Sequence, residues 1–408
     1  MKEINVGIIG LGCRGKSNTE TIINLKGIDI NIVAICDEYE DRCDSVSDII
    51  TAQNRPAPFK TCNYKEILER KDINTVLVFS SWESHIPIAI EAIKKGFAVG
   101  LEVGGAYSID ECRELVEAWE ESKVPFMLLE NCCFGKTELM ITKMVRDNMF
   151  GDIVMCHGAY AHDLREEVSH GNINRHYRLR NYLSRNCENY PTHELGPIAK
   201  LLDINRGNKM NRLLSTATKA SGIEAYITNR KETFEDKDLI GKKFMQADIV
   251  NTVIECENGE TITLTLDTCL PRSYSREFEI RGTKGMYSED FNSVFIDGDK
   301  EYWTTEDYIN NSGNNTKQFE EKYASEYWKN ITQEEIDAGH GGMDVYCFKT
   351  FFNCLKKDEP MPVDVYDAAA WMAITPLSEI SLKNNNCWVE IPDFTNGLWK
   401  TRPRMDID

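Results

Sequence analysis

Short, almost wholly apolar runs recur through the first 130 residues and alternate with amphipathic stretches. Ile4–Ile9, Ile30–Cys36, Thr75–Phe79, Phe97–Val103 and Phe126–Leu129 are each of strand length. Strands covered by helices on both faces read this way, because neither side of the pleat meets water. Between them, Ile86–Lys95 has helical spacing and stops at Gly96, a residue suited to a helix C-terminus. Ser108 with Glu111 makes a capping box in front of a helix reaching about Lys123. Alternation of this kind predicts a parallel sheet with helices on both sides.

The texture changes after Asn131. Lys136–Asn148 reads as an amphipathic helix. Ile153–Tyr160, Asp248–Glu255, Thr261–Thr268 and Arg276–Gly282 read as strands. Asn258-Gly259 between two of these is a hairpin turn signal, since both central positions of such a turn need positive φ. Asn310–Asn315 reads as a polar loop, and Val345–Leu355 and Ala368–Lys383 as helices. His340-Gly341-Gly342-Met343-Asp344 precedes the first of these; it reads either as a turn that brings His340 into a pocket or as a glycine loop with its N-cap at Asp344. No internal repeat is present.

Composition narrows the partners. Of 408 residues, 66 are acidic and 47 basic, a net charge of −19. An acidic chain without a basic run is a poor partner for nucleic acid or an anionic membrane. No stretch approaches the apolar length of a membrane span, and the N-terminal residues read as a strand rather than a secretion signal. The 14 cysteines are scattered, without Cys-x-x-Cys spacing, and several sit in apolar runs. Buried free thiols suit a reducing compartment, so a cytoplasmic location is expected.

The first chemistry-bearing segment is Gly10-Leu11-Gly12-Cys13-Arg14-Gly15, directly after the first strand. Its glycines allow a tight turn and close approach of backbone N–H groups to a pyrophosphate at a helix N-terminus. Asp37 ends the next strand, 22 residues after Gly15, where a carboxylate can accept from ribose hydroxyls and repel a 2′-phosphate. The cofactor expected is therefore NAD rather than NADP. The fold expected is an α/β Rossmann domain over residues 1–130 and an α+β domain over 131–408. The second carries an open, mostly antiparallel sheet, with the last helices packing back towards the first.

Further segments give the chain a family likeness. They are Ser81-Trp82-Glu83-Ser84-His85, Glu102-Val103, Glu130-Asn131, Gly158-Ala159-Tyr160-Ala161-His162-Asp163-Leu164-Arg165 and Tyr190-Pro191-Thr192-His193-Glu194-Leu195-Gly196-Pro197. Tyr274-Ser275-Arg276 and Val365-Tyr366-Asp367-Ala368-Ala369-Ala370-Trp371 follow. Together they resemble the Gfo/Idh/MocA oxidoreductase superfamily and, within it, the NAD-dependent glycosidases of glycoside hydrolase family 109, whose type activity is α-N-acetylgalactosaminidase. Sugar dehydrogenases of the superfamily carry Glu-Lys-Pro where this chain has Glu102-Val103-Gly104, so the lysine is missing. Phe134 stands where those glycosidases tend to have tyrosine.

The resemblance implies transient oxidation at carbon 3 of a sugar, elimination of the aglycone, water addition and re-reduction. Catalytic roles fall to Tyr190 and His193. Their spacing of three residues puts them on one helical face, with Pro191 at the first turn. It implies substrate contacts at Tyr160, Arg178, Tyr190, His193 and Tyr274. Cofactor contacts are implied at Gly10, Gly12, Cys13, Arg14, Gly15, Asp37, Trp82, His85, Glu102, Val103 and Asn131. No metal is expected: His162-Asp163 lacks further ligands at zinc spacing. A homo-oligomer is expected, on N-acetylgalactosaminides or related glycosides. The alternatives are a sugar dehydrogenase that releases NADH and a non-enzymatic NAD-binding sensor.

Overall fold

The computed structural model describes residues 3–407; Met1, Lys2 and Asp408, at the ends of the two expected domains, lie outside them. The described chain divides into two compact units. One comprises residues up to Gly135 together with Tyr327–Ala370, and the other Lys136–Glu326 with Trp371–Asp406.

The first unit is built on strands β1 (Asn5–Ile9), β2 (Asn31–Cys36), β3 (Phe59–Thr61), β4 (Thr75–Val78), β5 (Ala98–Leu101) and β6 (Phe126–Leu128). They form one sheet in the order β3-β2-β1-β4-β5-β6, with every pairing parallel. Val6, Ile8, Ile35, Val76, Leu77, Val78, Val99 and Leu101 have no exposure, as strands covered on both faces require. The connecting helices are α1 (Cys13–Ile23), α2 (Glu40–Ala52), α3 (Tyr64–Leu68), α4 (Trp82–Lys94) and α5 (Ile109–Ser122). The capping box at α5 is formed: Ser108 Oγ accepts the Glu111 N–H at 3.1 Å, and Glu111 Oε2 accepts the Ser108 N–H at 3.3 Å.

A late segment completes this unit. The Met343–Lys357 helix packs against α1 and sets Phe348 edge-on to Phe79, with ring centroids 6.3 Å apart. Further on, the Leu128 N–H donates to the Val363 carbonyl at 3.1 Å. The cap expected at Asp344 is instead Gly342, whose φ of +97° suits glycine, and Asp344 lies in the first turn.

The second unit carries β7 (Ile153–Ala161), β8 (Met210–Ala217), β9 (Ile249–Cys256), β10 (Thr261–Asp267), β11 (Glu279–Gly282), β12 (Gly285–Ser288), β13 (Ser293–Ile296) and β14 (Val389–Glu390). Their order is β13-β12-β11-β7-β10-β9-β8-β14. Every pairing is antiparallel except β7 with β10. Asn258-Gly259 sits in the β9–β10 hairpin, with Gly259 at φ +99°. Helices α6 (Lys136–Arg146), α7 (Arg165–Ser169), α8 (Arg178–Ser184) and α9 (Thr192–Leu201) follow from the start of this unit, and α9 packs on β7.

Some boundaries differ from the hydrophobic pattern, for identifiable reasons. The Arg276–Gly282 run pairs with β7 as a strand only from Glu279, because Glu277 sits at φ +47° and breaks the extended backbone. The Ala368–Lys383 stretch is two helices, Val365–Met372 and Ile374–Lys383. Pro376 has no N–H for the Met372 carbonyl four residues earlier, and the break falls between them. The helix expected from Ile86 begins at Trp82, so Trp82 and His85 lie in its first turn. Among the described residues all 14 cysteines are free, and no helix is long and apolar enough to cross a membrane.

Candidate functional site

In the first unit the glycine loop joins β1 to α1. Gly10 has φ +95°, and a Cβ there would press into the Phe79–Ser80 backbone at 2.5 Å. A Cβ on Gly15 would collide with the Gly10 carbonyl. At Gly12 the nearest atom to a built Cβ is an Arg42 guanidinium nitrogen at 3.7 Å, so the loop is open on that side. Two glycines close the turn and the third leaves the N-terminus of an 11-residue helix accessible, the geometry a pyrophosphate needs.

Asp37, at the end of β2, holds this loop in place. Its Oδ2 accepts the Leu11 N–H at 2.7 Å and its Oδ1 the Tyr39 N–H at 3.1 Å. Arg42 lies 3.5 Å from Oδ1. The cradle and its carboxylate therefore fit a dinucleotide whose ribose hydroxyls donate to Asp37.

The carboxyl ends of β4, β5 and β6 present the other residues of this half. Trp82 and His85 are buried at the start of α4, packed under Gly104, which has φ +145°. A side chain at Gly104 would meet the Trp82 indole and His85 Cε1. Burial pushes the His85 imidazole down to about 3, opposed only by a looser approach to the Gly105 backbone, so the ring is neutral. Glu102 Oε2 accepts from Asn18 Nδ2 at 3.0 Å and lies 3.8 Å from Arg14 Nε. Asn131 Nδ2 donates to Asp344 Oδ1 at 2.7 Å. Val103 is buried, whereas the Cys13 side chain is exposed.

In the second unit, β7, α8 and the start of α9 bring four of the sequence candidates together. The Tyr190 and His193 rings are 4.7 Å apart at 77°, Tyr190 immediately preceding the Pro191 cap and His193 in the first turn of α9. Tyr160, on β7, lies 4.5 Å from Tyr190 and 5.6 Å from His193, ring to ring. The Arg178 guanidinium stands 5.0 Å over the Tyr190 ring. Tyr274 stays at the margin, 51% exposed, joined to the group through His162 at 5.3 Å. His162 Nδ1 is 3.3 Å from the Tyr160 hydroxyl.

The charges around this cluster are set by acids that sequence reasoning passed over: the half-exposed Glu167 and the buried Glu188 and Glu194. Glu167 accepts from Arg178 at 2.7 Å. Burial would raise the Glu167 carboxyl, but Arg178 and His176 hold it below its ordinary value. Burial raises the Tyr160 phenol, opposed by Arg178. Burial and then Arg178 lower the His162 imidazole. Glu188, with no exposure, is raised by burial to about 8; the Tyr190 N–H and the carboxyl of Glu194 only partly offset this. The available sequence signal was adjacency: Glu188 lies two residues before Tyr190, and Glu194 follows His193. Asp163 is taken by Arg165 at 2.8 and 2.7 Å.

Comparison with known proteins fixes the family. Residues 134–401 match the family model "Glycosyl hydrolase 109, C-terminal domain". The chain belongs to glycoside hydrolase family 109. Residues 4–129 match "Oxidoreductase family, NAD-binding Rossmann fold", which makes the family 109 chain a two-part Gfo/Idh/MocA protein with NAD as cofactor. A glycosyl hydrolase family 109 protein of Stenotrophomonas maltophilia is 35% identical, covering 98% of this chain and 91% of the relative. A protein of Shewanella oneidensis named alpha-N-acetylgalactosaminidase is 33% identical, over 100% of this chain and 88% of its own length. In fold, the chain is similar to a levoglucosan dehydrogenase solved with NADH and levoglucosan: TM-score 0.69, 16% identity, 96% of this chain and 100% of that one. This family 109 member is thus a sugar-acting NAD enzyme.

Proposed function

We propose that the chain is an NAD-dependent glycosidase that cleaves N-acetylgalactosaminides or related glycosides by oxidation, elimination and re-reduction. The observation that carries the reading is the Tyr190–His193 pair, rings 4.7 Å apart under the Arg178 guanidinium, in a chain that also has an NAD-binding unit. The absent dehydrogenase lysine supports it further: Val103 is buried and Gly104 is packed on Trp82.

Bound NAD+ supplies the hydride acceptor for carbon 3 of the sugar and later returns the hydride. Tyr190 takes the proton from the carbon 3 hydroxyl. Arg178 above its ring favours the phenolate, because a nearby cation stabilises the charged form. The carbon 3 ketone acidifies carbon 2, and His193 takes that proton. The aglycone then leaves carbon 1 and takes a proton from solvent; water adds at carbon 1 and releases one. His193 returns a proton to carbon 2, and Tyr190 returns its proton to the carbon 3 oxygen as the ketone is reduced. Tyr160, Arg178 and Tyr274 contact the sugar. Gly10, Gly12, Cys13, Arg14 and Gly15 cradle the pyrophosphate, and Asp37 takes the adenosine ribose. Trp82, His85, Glu102, Val103 and Asn131 serve the nicotinamide side. The two domains proposed are residues 1–130 for NAD and 131–408 for substrate and assembly, with the last helices of the second packing back towards the first. The protein works in the cytoplasm, as a homo-oligomer through its open sheet.

The test is hydrolysis of nitrophenyl N-acetyl-α-galactosaminide in heavy water. Deuterium should enter carbon 2 of the released sugar, with NAD+ required but not consumed. His193→Ala and Tyr190→Phe should each lower turnover by about 100-fold while NAD+ binding holds. Ordinary hydrogen at carbon 2, or full turnover after bound NAD+ is stripped, sinks the elimination. Accumulation of NADH with free sugar instead identifies a dehydrogenase.

A further inference from the structure

One buried carboxylate in the first unit ties together residues that come from opposite ends of the sequence. Asp344, at the start of the Met343–Lys357 helix, is 1% exposed. Its Oδ2 accepts from Arg14 NH1 at 2.9 Å and its Oδ1 from Arg14 NH2 at 3.2 Å, a two-pronged pairing. The same Oδ1 accepts from Asn131 Nδ2 at 2.7 Å. His340 Nδ1 closes on Oδ2 at 2.8 Å and stands 3.2 Å from Arg14 NH1. Burial would push the Asp344 carboxyl up, but the His340 hydrogen bond and the Arg14 guanidinium outweigh it and hold it well below the usual carboxylate range.

The backbone is bent to deliver this carboxylate. His340, Gly341 and Gly342 have φ of +49°, +65° and +97°, three successive residues in left-handed conformations. For His340, which carries a Cβ, that is a sparsely populated conformation and persists only where surrounding contacts hold it. A side chain on Gly339 would meet Asp344 Oδ2 at 2.5 Å, so the turn closes directly over the carboxylate.

We propose that Asp344 is a positioning residue of the dinucleotide site, with the 339–344 turn acting as a clamp on the glycine loop. One carboxylate orients Arg14, in the first turn of α1, and Asn131, beyond β6. Arg14 in turn faces Glu102 at the end of β5. Two of the residues read as touching NAD are therefore held in register by a third that does not touch it. The proposal rests on that reading of Arg14 and Asn131. It does not depend on which glycoside is cleaved.

The experiment is calorimetric titration of the full chain with NAD+, alongside thermal melts without cofactor. Asp344→Asn keeps the shape and removes the charge; it should weaken NAD+ binding by about tenfold or more. Arg14→Gln and Asn131→Ala should each weaken it. The Arg14→Gln/Asp344→Asn pair should weaken it by clearly less than the product of the single effects, because one acts through the other. A folded Asp344→Asn protein that binds NAD+ like wild type overturns the proposal, and so do multiplicative effects. Wild-type affinity in both Arg14→Gln and Asn131→Ala overturns it through the reading it rests on. If Asp344→Asn does not fold, half-exposed His340→Ala decides: a loss of about threefold supports the clamp, and no change overturns it. A protein that passes these tests yet hydrolyses no glycoside would leave the clamp standing and refute the proposed function.

Discussion

Replacing Glu188 by glutamine should make the protein more stable at alkaline pH. Glu188 is fully buried and its carboxyl is raised from 4.5 to about 8, because burial disfavours the carboxylate. The folded state therefore keeps a proton that the unfolded chain has released. Above pH 4.5 the unfolded state binds fewer protons, so stability falls as pH rises, by about 1.4 kcal/mol per pH unit. The fall runs from about pH 4.5 to about 8 and then stops, and amounts to about 5 kcal/mol at most. Glutamine has the same shape, can accept the Tyr190 N–H that Glu188 Oε1 accepts at 3.3 Å, and does not titrate. Urea unfolding of both proteins from pH 5 to 8.5 reads the difference directly. The two should be close at pH 5 and diverge steadily towards pH 8, with Glu188→Gln the more stable. A difference that does not grow with pH refutes the reasoning.

Asp37→Ala should weaken NAD+ binding by tenfold or more and narrow the preference over NADP+. It strands the Leu11 N–H, a loss of about 1–3 kcal/mol, and leaves Arg42 without the acid that lies 3.5 Å away; calorimetry with both nucleotides checks it, and an unchanged ratio of affinities counts against the role given to Asp37. Gly104→Ala should lower stability by about 2–3 kcal/mol, since its φ of +145° disfavours a side chain and the Cβ would collide with Trp82. Thermal melts and tryptophan fluorescence report it, and a protein with wild-type melting would refute this account of the packing.

What the sequence disclosed was whatever short spacing encodes. A glycine loop after an apolar run, an acid closing the next run, the Ser108–Glu111 cap and the Asn258-Gly259 hairpin are local patterns with local causes, and each forms as read. The three-residue spacing of Tyr190 and His193 likewise brings their rings together. Strands as short as Phe59–Thr61 and Val389–Glu390 escaped because two or three residues carry no period. β12 and β13 escaped because polar Ser288 and Ser293 are buried at their ends and blur the alternation. The pattern of the Met343–Lys357 helix says that one face is buried, not what buries it. The Arg14–Asp344 pair spans 330 residues and leaves no local trace. Glu188 and Glu194 were invisible for a related reason: an acid normally signals solvent, and only the fold shows these two enclosed.

The return of residues 327–370 to the first unit bears on how the polypeptide matures on the ribosome. All six parallel strands have emerged by residue 128, yet the helix that packs on α1 and the segment that bonds to β6 are still unmade. At about 5–20 residues per second, synthesis of residues 136–326 occupies on the order of ten to forty seconds. Throughout that interval the nascent sheet carries apolar surface, Phe79 among it, that its own neighbours cannot yet cover. A gene fragment cut at the apparent domain boundary would freeze the polypeptide in that state, so a recombinant nucleotide-binding fragment ending near residue 130 should require chaperones or precipitate.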